Sequence, residues 1–381
     1  MRASQARDWV RKNLFGSTLD SSITIALGLG LLWAIARIWI WAAAQAQWAV
    51  IEANWRLLIV GRYPDAQVWR LQLTATIFLA LLGTFWGAAR WWRWPLGLLL
   101  LGGPAALAAR EAGPGIVWPI AIGFGIILGG CEIGRRLQGR IIAGAWLAAF
   151  PLLMWLTAGG LGLQAVATNQ LTGLVLTLLA AIASIVLSFP LGLLLALGRR
   201  SDLPVVRWLC AGYIEIVRGL PLIGILFFAQ VMLPLFLPER TNIDRVVRAI
   251  AGLALFSAAY LAENVRGGLQ AVPRGQVEAA CALGFKAPQI AGLIVLPQAL
   301  RVALPPITNQ FIGLLKNTAL LSVVGLVELV GIARSVLANP NYLGRYAEVY
   351  IFIGIVYWLI CYCMSIISQH LERKFATDRR A

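Results

Sequence analysis

Pro273–Pro306 reads PRGQVEAACALGFKAPQIAGLIVLPQALRVALPP, and in a chain that is otherwise largely lipid-soluble it is the stretch that changes character. Gln276 to Leu283 predicts a short helix coated with small residues (Ala279, Ala280, Ala282), and Gly284 supplies the positive-φ turn that ends it. A second short helix is expected to start near Pro288, a residue suited to a first helical turn, and to run towards Pro297. Small side chains beside a glycine corner let another protein approach the backbone closely. Arg274, Glu278, Lys286 and Arg301 make the stretch too polar for lipid, so it reads as a docking surface between two membrane spans.

The rest of the chain supplies those spans. Of 381 residues, 60% are hydrophobic and 13% charged, against roughly 45–50% and about 25% in soluble domains. Lipid demands that every backbone group be satisfied within helices or a closed barrel. Long apolar runs without period-2 alternation exclude the barrel. The expected class is therefore all-α, a polytopic membrane protein of about ten transmembrane helices.

The formal charge of +16 does not indicate nucleic acid, because the basic residues sit in short clusters between apolar runs rather than on one soluble face. Cys131, Cys210, Cys281, Cys361 and Cys363 form no CxxC pair and read as free thiols. The single histidine, His370, lies in the polar C-terminal tail, which argues against a His-based metal site or catalytic triad within one chain. No glycine is directly followed by lysine, so the phosphate-binding pattern G-x-x-x-x-G-K-[ST] is absent, and any ATP used must be bound by another chain.

In chain order, Arg2, Arg7, Arg11 and Lys12 precede an apolar run, Ile23 to Ala44, too long for a cleaved signal and read as a first span with its N-terminus inside. Arg37 within it is read as snorkelling to the outer interface. Gln45 to Arg70 reads as a polar loop whose Trp48, Trp55 and Trp69 fit an interfacial belt. Runs follow at Leu71–Ala89, Pro95–Ala109, Ile116–Gly130 and Ile141–Ala158. The middle two are short against the roughly 20 residues a span needs, which leaves a re-entrant pair open. Crossing is favoured because it puts Arg90, Arg93, Arg135, Arg136 and Arg140 inside, as the positive-inside rule expects.

From Gln170 onward, spans are expected at Leu171–Leu197, Leu209–Leu237, Ala249–Leu269, Pro306–Val327 and Ala347–Ser368. The larger share of the 32 Lys and Arg residues then lies inside, Arg199, Arg200, Arg207, Arg373 and Lys374 among them. Both termini and the opening stretch fall in the cytoplasm.

Glu278-Ala279-Ala280, three residues, Gly284, nine residues, Ile294, one residue and Leu296-Pro297 together resemble the EAA signature of membrane subunits of bacterial ABC importers. Tyr213 to Leu222 (YIEIVRGLPL), Ala259 to Gly268 (AYLAENVRGG) and Asn309 to Thr318 (NQFIGLLKNT) resemble the histidine/glutamine permease family, which imports polar amino acids. The likeness covers residues 170–371, a five-helix core of the type I importer permease kind with its coupling loop at 273–306 and a tail at 372–381. The extension, 1–169, with about five spans, is similar to that of broad-specificity L-amino-acid permeases. One departure stands out: Ala319 occupies the position where the family commonly has serine.

The resemblance implies a non-catalytic permease subunit of the bacterial inner membrane. It implies a second permease subunit, related or identical, two ABC ATPase subunits that carry the ATP and Mg, and an extracytoplasmic amino-acid-binding protein. It also implies that Glu278, Ala279, Ala280, Gly284, Phe285 and Lys286 couple to the ATPase. Glu278 is placed to cap, to pair with Arg274 at i,i+4 within the helix, or to pair with a basic residue of the partner. Ionisable groups at membrane depth usually face a cavity or pair with one another. Arg218, Glu263, Asn309, Lys316 and Thr318 are the candidates for a substrate path, since an amino-acid zwitterion needs partners of both signs. The competing reading is structural pairing at i,i+3, Glu215 with Arg218 and Glu263 with Arg266. A stand-alone, ion-coupled transporter of small polar solutes is the alternative class, and it would not co-purify with an ATPase. A membrane-embedded enzyme is disfavoured because the chain lacks carboxylates clustered near a nucleophile.

Overall fold

The computed structural model describes residues 3–88, 114–238 and 243–377; the expected span Pro95–Ala109 lies outside them. Among the described residues every named element is helical. Within these described residues six helices are long and apolar enough to cross a membrane, or seven if a bent pair counts as one. The chain forms two compact units, Met1–Ile51 and Glu52–Ala381.

The first unit holds α1 (Ala3–Leu14) and α2 (Thr18–Ile40), which continues as a π-helical turn over Trp41–Gln45. Ser17 caps α2 by accepting from the Asp20 N–H. Ile23 to Ala44, expected as the first span, lies within this continuous 28-residue apolar helix.

In the second unit, α3 (Ala49–Ile59) begins at the boundary and occupies much of the expected polar loop Gln45–Arg70. That loop expectation is corrected: Trp55 lies on a helix and its ring meets Phe352 edge-on. Then come α4 (Val68–Ala88), α5 (Pro114–Arg136) and α6 (Gly139–Ala158). At 23 residues α5 is about 34 Å long, more than the roughly 30 Å of a hydrocarbon core.

Helices α4 and α5 run parallel in backbone contact. A Cβ on Gly83 would overlap Ile127 O, one on Gly87 would overlap Cys131 O, and one on Gly134 would overlap Thr84 O. Gly83/Gly87 and Gly130/Gly134 are two facing GxxxG pairs. Without a hydrophobic drive between helices in lipid, such close approach is what holds them together.

The core comprises α7 (Gly173–Gly198), α8 (Pro204–Gly219), α9 (Leu222–Phe236, with a π turn at Phe228–Met232) and α10 (Arg245–Gln270). It continues with α11 (Arg274–Ala282), α12 (Leu296–Asn317), α13 (Leu329–Leu337) and α14 (Tyr346–Thr377). The α10 helix is its axis. Gly192 lets α7 lie parallel on Ala258 and Leu261 of α10, while Gly268 of α10 lets α12 approach antiparallel through Ala299 and Ala303. Two apolar clusters result, one around Leu176, Leu226, Leu253 and Leu314, the other around Ile214, Leu261, Val265 and Ala299.

Two expected spans are redrawn. Leu209–Leu237 is not one straight helix: α8 stops at Gly219, and α9 restarts after Pro221 at a 105° bend. Proline lacks an N–H and disfavours helical φ/ψ in the residue before it, so Leu220 adopts extended φ/ψ there. The span expected at Pro306–Val327 begins far earlier. A continuous helix runs Ala287–Ser322, with Pro305 and Pro306 inside it, and the segment after Ser322 turns into α13.

Candidate functional site

The α11 unit is built as the EAA stretch suggests, with one inversion. Gly284 has φ +80°. The Phe285 N–H donates to Ala280 O (3.1 Å) and the Gly284 N–H to Cys281 O (3.0 Å), the Schellman pair that closes a helix C-terminus. The Lys286 N–H then donates to the Gln289 side chain at 2.9 Å, starting the next limb without slack. That limb is not a separate short helix as expected: Ala287–Gln289 passes through a π turn, Ile290–Val295, straight into α12.

Glu278, Ala279, Gly284, Phe285 and Lys286 are exposed, and Leu283 projects at 77% exposure. Ala280 is the exception. It is 2% exposed and turned towards the second limb, so its small size serves the internal fit rather than an outer face.

The candidate charges of α8 and α10 do not pair as the local spacing suggests. Glu263 is the hub: Arg266 Nε donates to it at 2.9 Å, Arg218 lies at 3.4 Å and Arg199 at 3.7 Å. The expected Glu263–Arg266 pairing is present. The expected Glu215–Arg218 pairing is not, because Glu215 instead accepts from Arg199 at 2.9 Å. Arg218 also lies 5.6 Å from the Tyr260 ring centroid, a cation–π distance, and the Tyr260 hydroxyl donates to Arg218 O. Two carboxylates and three guanidiniums thus tie the end of α7, α8 and α10 together at the bend.

The other candidates lie elsewhere. Asn264 donates to Pro306 O, which puts Glu263 near the level of Pro306. Lys316 is ten residues further along α12, about 15 Å of helical rise. Asn309 and Lys316 are both exposed and, being seven apart, share one stripe of α12 with Gly313. Thr318 is fully buried, its hydroxyl donating to Leu315 O at 2.6 Å.

Two buried groups escaped the sequence reading. Glu328, fully buried, caps α13 by accepting from the Val330 and Gly331 N–H groups (2.9 and 3.0 Å) and also from the Tyr357 hydroxyl at 3.2 Å. Burial holds its carboxyl above the usual carboxylate range. The signal in the sequence was weak: glutamate is not among the preferred N-cap residues, although a negative charge at a helix N-terminus is favoured by the helix dipole. Arg70, assigned to an outer loop, is 1% exposed and donates to Leu156 O, Gln164 O and the Gln67 side chain at 2.7–2.9 Å. Only the tertiary approach of α6 to α4 reveals that role.

Within the described residues no group of three or more His, Cys, Asp or Glu is placed to hold a metal ion. What the chain presents is a helical membrane bundle with an exposed, rigid helical hairpin on one end. Residues 188–377 match the family described as binding-protein-dependent transport system inner membrane component. An inner-membrane amino-acid ABC transporter permease protein of Escherichia coli K12, YhdY, is 39% identical over 99% of this chain and 95% of its own length. The glutamate/glutamine/aspartate/asparagine transport system permease protein BztC of Rhodobacter capsulatus is 37% identical over 98% and 94%. A shorter relative, the probable glutamine permease protein GlnP of Bacillus subtilis, is 36% identical over 52% of this chain and 90% of itself. The chain belongs to the amino-acid ABC transporter permeases, the non-catalytic membrane-spanning subunits of binding-protein-dependent transport systems.

Proposed function

We propose that this permease carries polar L-amino acids into the cytoplasm and that the hairpin around Gly284 is where its ATPase docks. The observation that carries the docking reading is the combination of rigidity and exposure. The Schellman closure and the Gln289 bond fix the corner, while Leu283, Phe285, Ala279 and Lys286 stand outward. An exposed apolar tip beside a cationic residue suits a cleft with an apolar floor and an acidic edge. Because the second limb continues into α12 through a π turn, a push on the corner is delivered to a span rather than absorbed in a loop.

The full set of partners in this reading is two ATPase subunits that bind ATP and Mg²⁺, a second permease, related or identical, and an extracytoplasmic amino-acid-binding protein. Residues 1–169 act as a membrane extension to the 170–371 core, and both termini are cytoplasmic. The full-length likeness to BztC supports polar amino acids as cargo. Asn309 and Lys316, both exposed on one stripe of α12 with the half-buried Gly313 between them, support a path along that side. Arg218 and Glu263, with Glu215 and Arg266, serve better as a clamp that makes α7, α8 and α10 move as one body than as cargo ligands.

Vesicles containing the whole transporter and its binding protein, loaded with ATP where the ATPase faces, test the cargo. Uptake of labelled glutamine, glutamate, aspartate or asparagine, absent without ATP, is expected. ATP-independent uptake driven by an ion gradient would overturn the reading.

A further inference from the structure

The α12 helix has two unlike flanks. One carries Asn309, Gly313 and Lys316; the roughly opposite one, following Leu300, Leu304 and Phe311, forms a groove with Met364 and Leu371 of α14 over Phe189 of α7. Its volume is about 630 Å³. From Pro297 to Phe311 it extends along α12 by about 21 Å, somewhat more than one leaflet of a roughly 30 Å hydrocarbon core.

The groove suits the cargo poorly. Its two hydroxyls are engaged internally, since Ser368 lies 2.6 Å from Thr308 and 2.7 Å from the Glu372 carboxylate, and Thr308 lies 3.0 Å from its acceptor, Leu304 O. The one carboxylate beside the groove is thus already bonded at its C-terminal end, the rest of the lining apart from Arg301 is apolar, and a zwitterion stripped of water needs partners for both charges. A hydrocarbon chain needs none. At the end nearest the α11 corner, Arg301 lines the mouth, and basic pockets between spans on the cytoplasmic side suit anionic lipid headgroups.

We propose that this groove is a site for an anionic phospholipid of the cytoplasmic leaflet, one acyl chain lying between α12 and α14 and the headgroup on Arg301. The proposal rests on the cytoplasmic placement of α11 argued above, but not on the identity of the cargo. The lipid becomes a wall of the α12–α14 contact, so the helix that receives the push from the ATPase slides against hydrocarbon rather than against a locked side-chain interface.

The test uses the full chain in detergent, with native mass spectrometry and added dioleoyl phosphatidylglycerol or dioleoyl phosphatidylcholine. One phosphatidylglycerol per chain is expected, held about fivefold more tightly than phosphatidylcholine, the effect of roughly one basic residue near a headgroup. Arg301→Gln should bring the two lipids to parity, and Leu304→Trp, which fills the groove, should weaken both. Equal binding of the two lipids to the unaltered chain, or unchanged binding after Leu304→Trp, would overturn the proposal. Should Leu304→Trp not fold, a photoactivatable phosphatidylglycerol on the unaltered chain is expected to label the 297–311 or 364–371 peptides. Labelling elsewhere, or a Leu371→Cys disulfide dimer without lipid adduct, would assign the face to something else. Failed amino-acid uptake with intact lipid selectivity would strike the transport reading alone.

Discussion

Arg218 reaches across to Glu263, 3.4 Å away on another helix, and leaves Glu215, three residues back on its own helix, to Arg199. The charges at the bend after α8 are therefore a brace between helices, and their two carboxylates are unequal. Glu263 is 21% exposed and faces three arginines, whereas Glu215 is 67% exposed and faces one. Glu263→Gln, which leaves part-buried guanidiniums short of an acceptor, should cost about 1–3 kcal/mol. Glu215→Gln should cost less than about 1 kcal/mol, as surface pairs do. Thermal melts of the two purified variants check this; equal midpoints would contradict the brace.

The alanines of the EAA stretch should separate by side. Ala279→Asp points outward and is expected to leave insertion and the melting midpoint unchanged while removing amino-acid-stimulated ATP hydrolysis. Ala280→Asp would bury a charge, at a cost of several kcal/mol without a partner, and should reduce the amount of folded protein. Comparable folding of the two would contradict the orientation of α11.

The paired glycines of α4 and α5 predict a steep local sensitivity. Gly87→Ala puts a methyl group into the Cys131 carbonyl and should lower stability by about 1–3 kcal/mol, the usual range for overpacking. Gly125→Ala, on the same pair but with nothing within 4 Å, should be neutral. A difference of less than a degree or two between their melting midpoints would count against the backbone contact.

Arg70 is a fourth test. Arg70→Met removes the donor to Leu156 O and Gln164 O and should cost about 3 kcal/mol, since bonds to charged groups contribute roughly 1.5–3 kcal/mol each and leave buried carbonyls behind. Protease nicking near residues 159–164 is expected to rise, and an unchanged digest would argue that the loop is held by something else.

What could be read from the chain alone followed from local chemistry. Composition and run length gave the helical membrane class, Gly284 gave the corner, and the EAA spacing gave the family. Features that depend on which helices meet were not readable. Glu215 and Arg218 share the spacing of an intrahelical pair, and only the approach of α7 and α10 redirects them. Ala279 and Ala280 are chemically identical, and the inward turn of the second is decided by the limb that follows. Pro221 was visible as a break, but not a 105° bend. The facing GxxxG pairs at Gly83/Gly87 and Gly130/Gly134 were legible and passed over, since each looks like ordinary glycine content until both are set side by side.

The central claim is that the corner at Gly284 transmits the ATPase stroke. It is tested most directly by amino-acid-stimulated ATP hydrolysis in the reconstituted transporter carrying Gly284→Asp. With φ at +80° an L side chain strains the turn, and the new carboxylate stands where a partner must approach. The expected result is full membrane insertion with stimulation reduced to the unstimulated rate. Stimulation equal to that of the unaltered transporter would contradict the claim.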